Sequence, residues 1–148
     1  MNALLNSIVS NSTIKMTAPI MKSKVYGKKD MAPTQVPMVN VALSGRIDGG
    51  LTPGLLVLAG PSKHFKSAFA LLMAGSFMKR NPDAILMFFD AEFGTPHAYF
   101  ESFGIDMDRV AHIPITDVEH LKFEMMQQLD QIEPKHSGHI VMVVDSIV

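Results

Sequence analysis

Three apolar runs of strand length, Leu55–Ala59, Ile85–Phe89 and Ile140–Val144, are separated along the chain by stretches with helical periodicity. A continuous apolar run of this length is the pattern of a strand buried on both faces. Between the first two runs, Phe69, Leu72, Met73, Ser76 and Phe77 recur at the i, i+3, i+4, i+7, i+8 spacing of one helix face, and Asn81-Pro82-Asp83 stops them. Beyond the second run, residues 96–103 read as a short helix closed by Gly104, and residues 110–113 as a short strand. Thr116 and Glu119 then have capping-box spacing ahead of a helical stripe of Val118, Leu121, Met125, Leu129 and Ile132, which Pro134 and Gly138 break. Strands alternating with helices imply an α/β fold, a mostly parallel sheet with helices on both faces.

The part before residue 37 reads differently. It is polar and weakly periodic, with Pro19 and Pro33 as breaks, and fits an N-terminal arm with a short helix at residues 3–9. The core, residues 37–148, begins with Val39–Leu43 as a short strand or connector, and Gly49-Gly50 and Pro53-Gly54 punctuate the approach to the first apolar run. Ten Lys/Arg and two acids fall in residues 1–80, against three and twelve in residues 81–148. Lys15, Lys22, Lys24, Lys28 and Lys29 all precede the first acid, Asp30; such a cluster can attract nucleic acid, but a solvated or subunit-contacting arm is the preferred reading.

Composition excludes several classes. A length of 148 residues with 47% hydrophobic content supports one domain with a real core and argues against disorder. No cysteine is present, which rules out disulfides and zinc–thiolate sites and fits a cytoplasmic setting. No apolar run approaches the roughly 20 residues needed to span a bilayer, so no membrane partner is expected. The twelve methionines, among them Met73, Met87, Met125 and Met142, read as core filler.

The chemistry concentrates after the first run. Gly60-Pro61-Ser62-Lys63-His64-Phe65-Lys66-Ser67 joins a strand-like segment to a helix-like one and places a lysine and a hydroxyl at the helix start. A triphosphate needs this arrangement: loop N–H groups and the helix N-terminus attract its charge, Lys66 reaches the β/γ-phosphates, and Ser67 ligates Mg²⁺. One position departs from G-x-x-x-x-G-K-[ST]: Phe65 stands where the second glycine would be. A Cβ makes positive φ costly, so the loop is expected to run at negative φ there, or else to be an ordinary βα turn with a solvated Lys66. In a parallel sheet, ligands bind beyond the carboxyl ends of the strands, here marked by Gly60, Asp90 and Asp145. Asp145 closes an apolar strand and is placed to hold Mg²⁺ beside Ser67; its alternative is a helix cap. Glu92 is the candidate base that deprotonates an attacking water, with Asp90 a supporting acid; both could instead be solvated loop acids. His64 reads as a variable loop position, and His136 with His139 as loop histidines rather than a chelating pair.

With these residues assembled, the chain resembles the RecA-type recombinases, most closely their tailed-phage branch. The carriers are residues 37–45, the loop Gly60–Ser67 with its Phe65, Phe88-Phe-Asp-Ala-Glu-Phe-Gly94, Phe103-Gly-Ile-Asp106 and Val144-Asp-Ser146. The resemblance implies a RecA-like P-loop NTPase core that binds ATP and Mg²⁺, and a DNA-dependent ATPase that forms helical filaments on single-stranded DNA and promotes strand exchange. It implies Lys66 and Ser67 on the phosphates and metal, Asp145 as the Walker B acid, Glu92 as the catalytic glutamate and Tyr99 stacked on adenine. Pro96 falls where bacterial members carry an aspartate near the base. The basic arm, residues 1–36, would pack on a neighbouring subunit, and the setting would be the cytoplasm of an infected host cell.

The family continues well past the Walker B strand, and its DNA-binding loops lie in that later part. A strand from there normally separates the phosphate-loop strand from the Walker B strand. The core is therefore expected to be C-terminally incomplete, leaving Leu55–Ala59 and Ile140–Val144 with unpaired edges and exposed apolar surface. Two other readings remain open: a RecA-like helicase motor fragment, and a non-catalytic nucleotide-binding or interaction module.

Overall fold

The computed structural model describes residues 2–23, 31–132 and 134–146, so Lys24, Lys28 and Lys29 of the basic cluster lie outside the described residues. Residues 1–31 and 32–148 form two compact units. In the first, helix α1 (Ala3–Ser10) starts at Asn2, whose side chain accepts the N–H of Leu4, and a 3-10 turn spans Ile20–Lys22. Leu4 and Ile8 of α1 are 68% and 59% exposed.

The second unit opens with an antiparallel bridge between Ala32 and Leu51 that brackets helix α2 (Pro37–Ser44). The expectation of a strand or connector at Val39–Leu43 is overturned. Pro37 supplies the first helical turn with a preset φ and no N–H to satisfy, and Gly45 ends it at φ 71, donating to Val41 O. A buried polar network fixes the helix. Asn40, 3% exposed, accepts from the Thr34 N–H and hydroxyl and donates to Thr34 O and Ile47 O.

The rest is an α/β layer. Helix α3 (Lys66–Arg80) leads to strand β1 (Ile85–Asp90), helix α4 (His97–Ser102), strand β2 (Val110–Pro114), helix α5 (Val118–Gln131) and strand β3 (Ile140–Asp145). The three strands form one parallel sheet in the order β2-β1-β3, with Phe88 opposite His112 and Asp90 opposite both Pro114 and Asp145. The chain steps from β1 to β2 and then back past β1 to β3. Right-handed crossovers in opposite directions require helices on opposite faces. The core agrees: Phe100 of α4 packs with Leu71, Ala74 and Met78 of α3 against Leu86, Phe88 and Val143. Leu121 and Met125 of α5 pack against Met87, Phe89 and Met142 on the other face.

Three further expectations need correction. Leu55–Ala59 is not a strand: it pairs with nothing in the sheet, and Leu55, Leu56, Val57 and Leu58 are 94%, 43%, 75% and 37% exposed. Its apolarity suits a strand, but it forms no ladder with any described strand, and β3 is paired on the β1 side alone. The buried stripe of α3 runs through Leu71, Ala74, Gly75 and Met78 together with Met73, leaving Phe69 43% exposed. Gly75 sets that face, because a Cβ there would stand 2.5 Å from the Phe103 carbonyl oxygen. Helix α5 is capped by Asp117 rather than Thr116; the Asp117 carboxylate accepts the His120 N–H at 2.7 Å, and Thr116 donates to that carboxylate.

Among the described residues, no helix is long and apolar enough to cross a membrane.

Candidate functional site

The carboxyl ends of β1 and β3 lie side by side, and the start of α3 reaches them. The register puts Asp90 opposite Asp145, and the Ala91 N–H donates to Asp145 O at 2.8 Å. Both acids are buried, at 4% and 8% exposure. They are kept by hydrogen bonds, as buried carboxylates must be.

Asp145 is held from two directions. The Ser67 hydroxyl, in the first turn of α3, donates to Asp145 Oδ1 at 2.8 Å, and Thr95 Oγ1 donates to Oδ2 at 3.4 Å. Residues 78 positions apart are thereby joined, and both carry oxygen ligands of the hard type that could hold Mg²⁺. The next residue, Ser146, donates to Glu92 Oε1 at 2.6 Å. Glu92 itself sits on a turn set by Asp90, whose Oδ1 accepts the N–H groups of Glu92 and Phe93 at 3.1 and 2.7 Å. Phe93 there has φ 55.

The loop Gly60–Phe65 is exposed and leads directly into α3. His64 Nδ1 lies 2.9 Å from Ser62 O, and Lys66 Nζ donates to Pro61 O at 2.9 Å, so the ammonium folds back over the loop. Lys63 and Phe65 have φ 63 and 57. The expected negative φ at Phe65 is thus wrong. The left-handed conformation costs an L-residue roughly 1–2 kcal/mol, which a folded domain sustains, so that cost does not exclude positive φ here. Phe65 is the N-cap of α3 and gives no side-chain bond, and the first turn carries no acid. The N–H groups at this helix start therefore have no side-chain acceptor from the cap, and the helix dipole favours an anion there.

Lys66, Ser67, Glu92 and Asp145 are the site residues expected from the sequence. The structure brings Ser67 and Asp145 into contact and places Glu92 one hydrogen bond from the residue after Asp145. Gly60, Pro61, Ser62, Lys63, His64 and Phe65 line the adjoining loop. Tyr99 stands apart from these bonds: it is half-buried against the α3–α4 core, with its ring edge-on to Phe103 at 5.6 Å. Thr95, Ser146 and His112 were missed as site residues. Thr95 and Ser146 carry no periodic signal, and His112 becomes visible only when register sets it opposite Phe88.

No protein-family model matches the chain. The chain is similar to a protein of Enterobacteria phage T4 named "Recombination and repair protein", with 46% identity over 147 residues that cover 99% of this chain and 37% of the relative. The chain thus spans little more than a third of the length of that curated relative.

Proposed function

We propose that this chain is the nucleotide-binding part of an ATP-dependent DNA recombinase of the RecA type, close to the phage protein UvsX. The observation that carries the reading is the Ser67–Asp145 contact beside a lysine-bearing loop, with Glu92 in reach through Ser146. The similarity to a phage protein named for recombination and repair supports the same role. Gly60–Phe65 would wrap the phosphates with backbone N–H groups, and Lys66 would leave Pro61 O for a phosphate oxygen. Ser67 and Asp145 would hold Mg²⁺, which when bound neutralises phosphate charge. Glu92 would orient and deprotonate the water that attacks the γ-phosphate, giving ADP and phosphate. In this reading Tyr99 borders the adenine, the arm contacts a neighbouring subunit in a filament on single-stranded DNA, and the work is done in the host cytoplasm.

The test uses a chimera in which this chain replaces the aligned segment of the phage T4 relative. Hydrolysis of ATP should rise with single-stranded DNA, electron microscopy should show filaments, and Lys66→Ala should abolish the activity. A folded chimera that hydrolyses nothing overturns the reading, and closed rings on DNA would favour a helicase motor.

A further inference from the structure

We infer that His112, on the open edge strand β2, is a positioning residue for Glu92 and acts through Asp90. The inference rests on the role given to Glu92 above; the bonds that carry it do not. Asp90 uses both carboxylate oxygens. Oδ1 accepts the Glu92 and Phe93 N–H groups, and Oδ2 lies 3.2 Å from His112 Nε2. In the tautomer with its hydrogen on Nε2, His112 donates to this oxygen, and the carboxylate accepts. Parallel register places His112 opposite Phe88, two residues before Asp90 on the same face of β1. The imidazole stacks on the Phe88 ring, centroids 6.3 Å apart and planes at 23°. Phe88 in turn is fixed edge-on by Phe100 at 5.1 Å.

The consequence follows from the torsion that Asp90 leaves free. The χ2 well of an aspartate is broad, so its two oxygens hold their directions only while both are engaged. Among the described residues, His112 is the side-chain donor to Asp90. Removing that donor leaves a buried oxygen unmatched and lets the carboxylate rotate to find another partner. The two N–H bonds that hold Phe93 in its left-handed conformation then weaken, and the Glu92 carboxylate loses its fixed aim toward Ser146. Although His112 is more than half exposed, it reaches the proposed base through one buried acid.

Two substitutions separate the donor from the ring. His112→Phe keeps the stacking on Phe88 and removes the N–H; His112→Gln keeps an N–H donor and removes the ring. The first readout is amide hydrogen exchange of the chain itself, which needs no nucleotide. His112→Phe should speed exchange at Glu92 and Phe93 about tenfold, as loss of a buried hydrogen bond does, with Met87 and Phe89 unchanged, and His112→Gln should restore protection. Unchanged exchange at Glu92 and Phe93 in His112→Phe overturns the inference. The second readout is hydrolysis in the chimera: His112→Phe should lower kcat about tenfold with KM for ATP unchanged, and His112→Gln should recover it. An equal kcat in an active chimera overturns the link to Glu92. An inactive wild-type chimera instead removes the function proposed for the site, and the exchange result still decides whether His112 positions the turn.

Discussion

β1 and Leu55–Ala59 are almost equally apolar, yet they end in opposite states. Residues 86–90 of β1 are all buried, flanked by β2 and β3 and covered by α3 on one face and α5 on the other. Leu55 and Val57 are 94% and 75% exposed and belong to no strand. Local sequence gives both segments the side chains of an interior strand, but a strand forms only where a neighbouring edge takes its N–H and C=O groups. Among the described residues β1 has two such neighbours and Leu55–Ala59 has none, so apolarity alone decides neither burial nor secondary structure.

The contrast can be broken most directly in its buried half. Leu86→Ala removes a fully buried side chain and should lower stability by about 2–5 kcal/mol, whereas Leu55→Ala should change it by less than about 0.5 kcal/mol. Urea denaturation of both variants checks this; a comparable loss in Leu55→Ala would mean that the segment is covered. A smaller effect is expected on the packed side of the sheet. Gly75→Ala drives a Cβ toward the Phe103 carbonyl and should cost about 1–3 kcal/mol, read as a lowered urea midpoint with unchanged slope. On the exposed side the sign reverses. Phe65→Gly relieves a left-handed phenylalanine that is 69% exposed, and should raise stability by up to about 1 kcal/mol in the same assay.

The smallest effect belongs to the cap of α5. The His120 N–H, with some help from the Thr116 and His120 side chains, holds the Asp117 carboxyl below its ordinary 3.8. A depressed carboxyl stabilises the fold above that ordinary value and ceases to do so as pH falls through its lower folded value. Thermal melts of wild type and Asp117→Asn should therefore differ near neutral pH and converge in strong acid. A constant difference across that range would show that the charge plays no part.

Much of the layer was readable in the chain. The runs at Ile85–Phe89 and Ile140–Val144 lie within a residue of the observed strands, because each pairs with a neighbouring strand, and Asn81 marks the end of α3 although the expected face of that helix is not the buried one. Pro37 and Gly45 also mark both ends of α2, but the β-branched Val39 and Val41 drew the reading toward a strand. The rest depended on information that no window holds. Leu55–Ala59 pairs with none of the described strands, and the face of α3 turns on the close approach of Gly75 to Phe103. At the site, Ser67, Glu92 and Asp145 could be named from their places after apolar runs. Thr95, Ser146 and His112 could not, since their roles arise from pairings 50, 54 and 22 residues apart.

Amide chemical shifts of the chain, recorded while Mg²⁺-ATP is added, test the central claim most directly. The account predicts changes that saturate together at Gly60, residues 62–67, Glu92 and Ser146 and that vanish in Lys66→Ala. Changes confined to other parts of the molecule, or no changes at all, would contradict it.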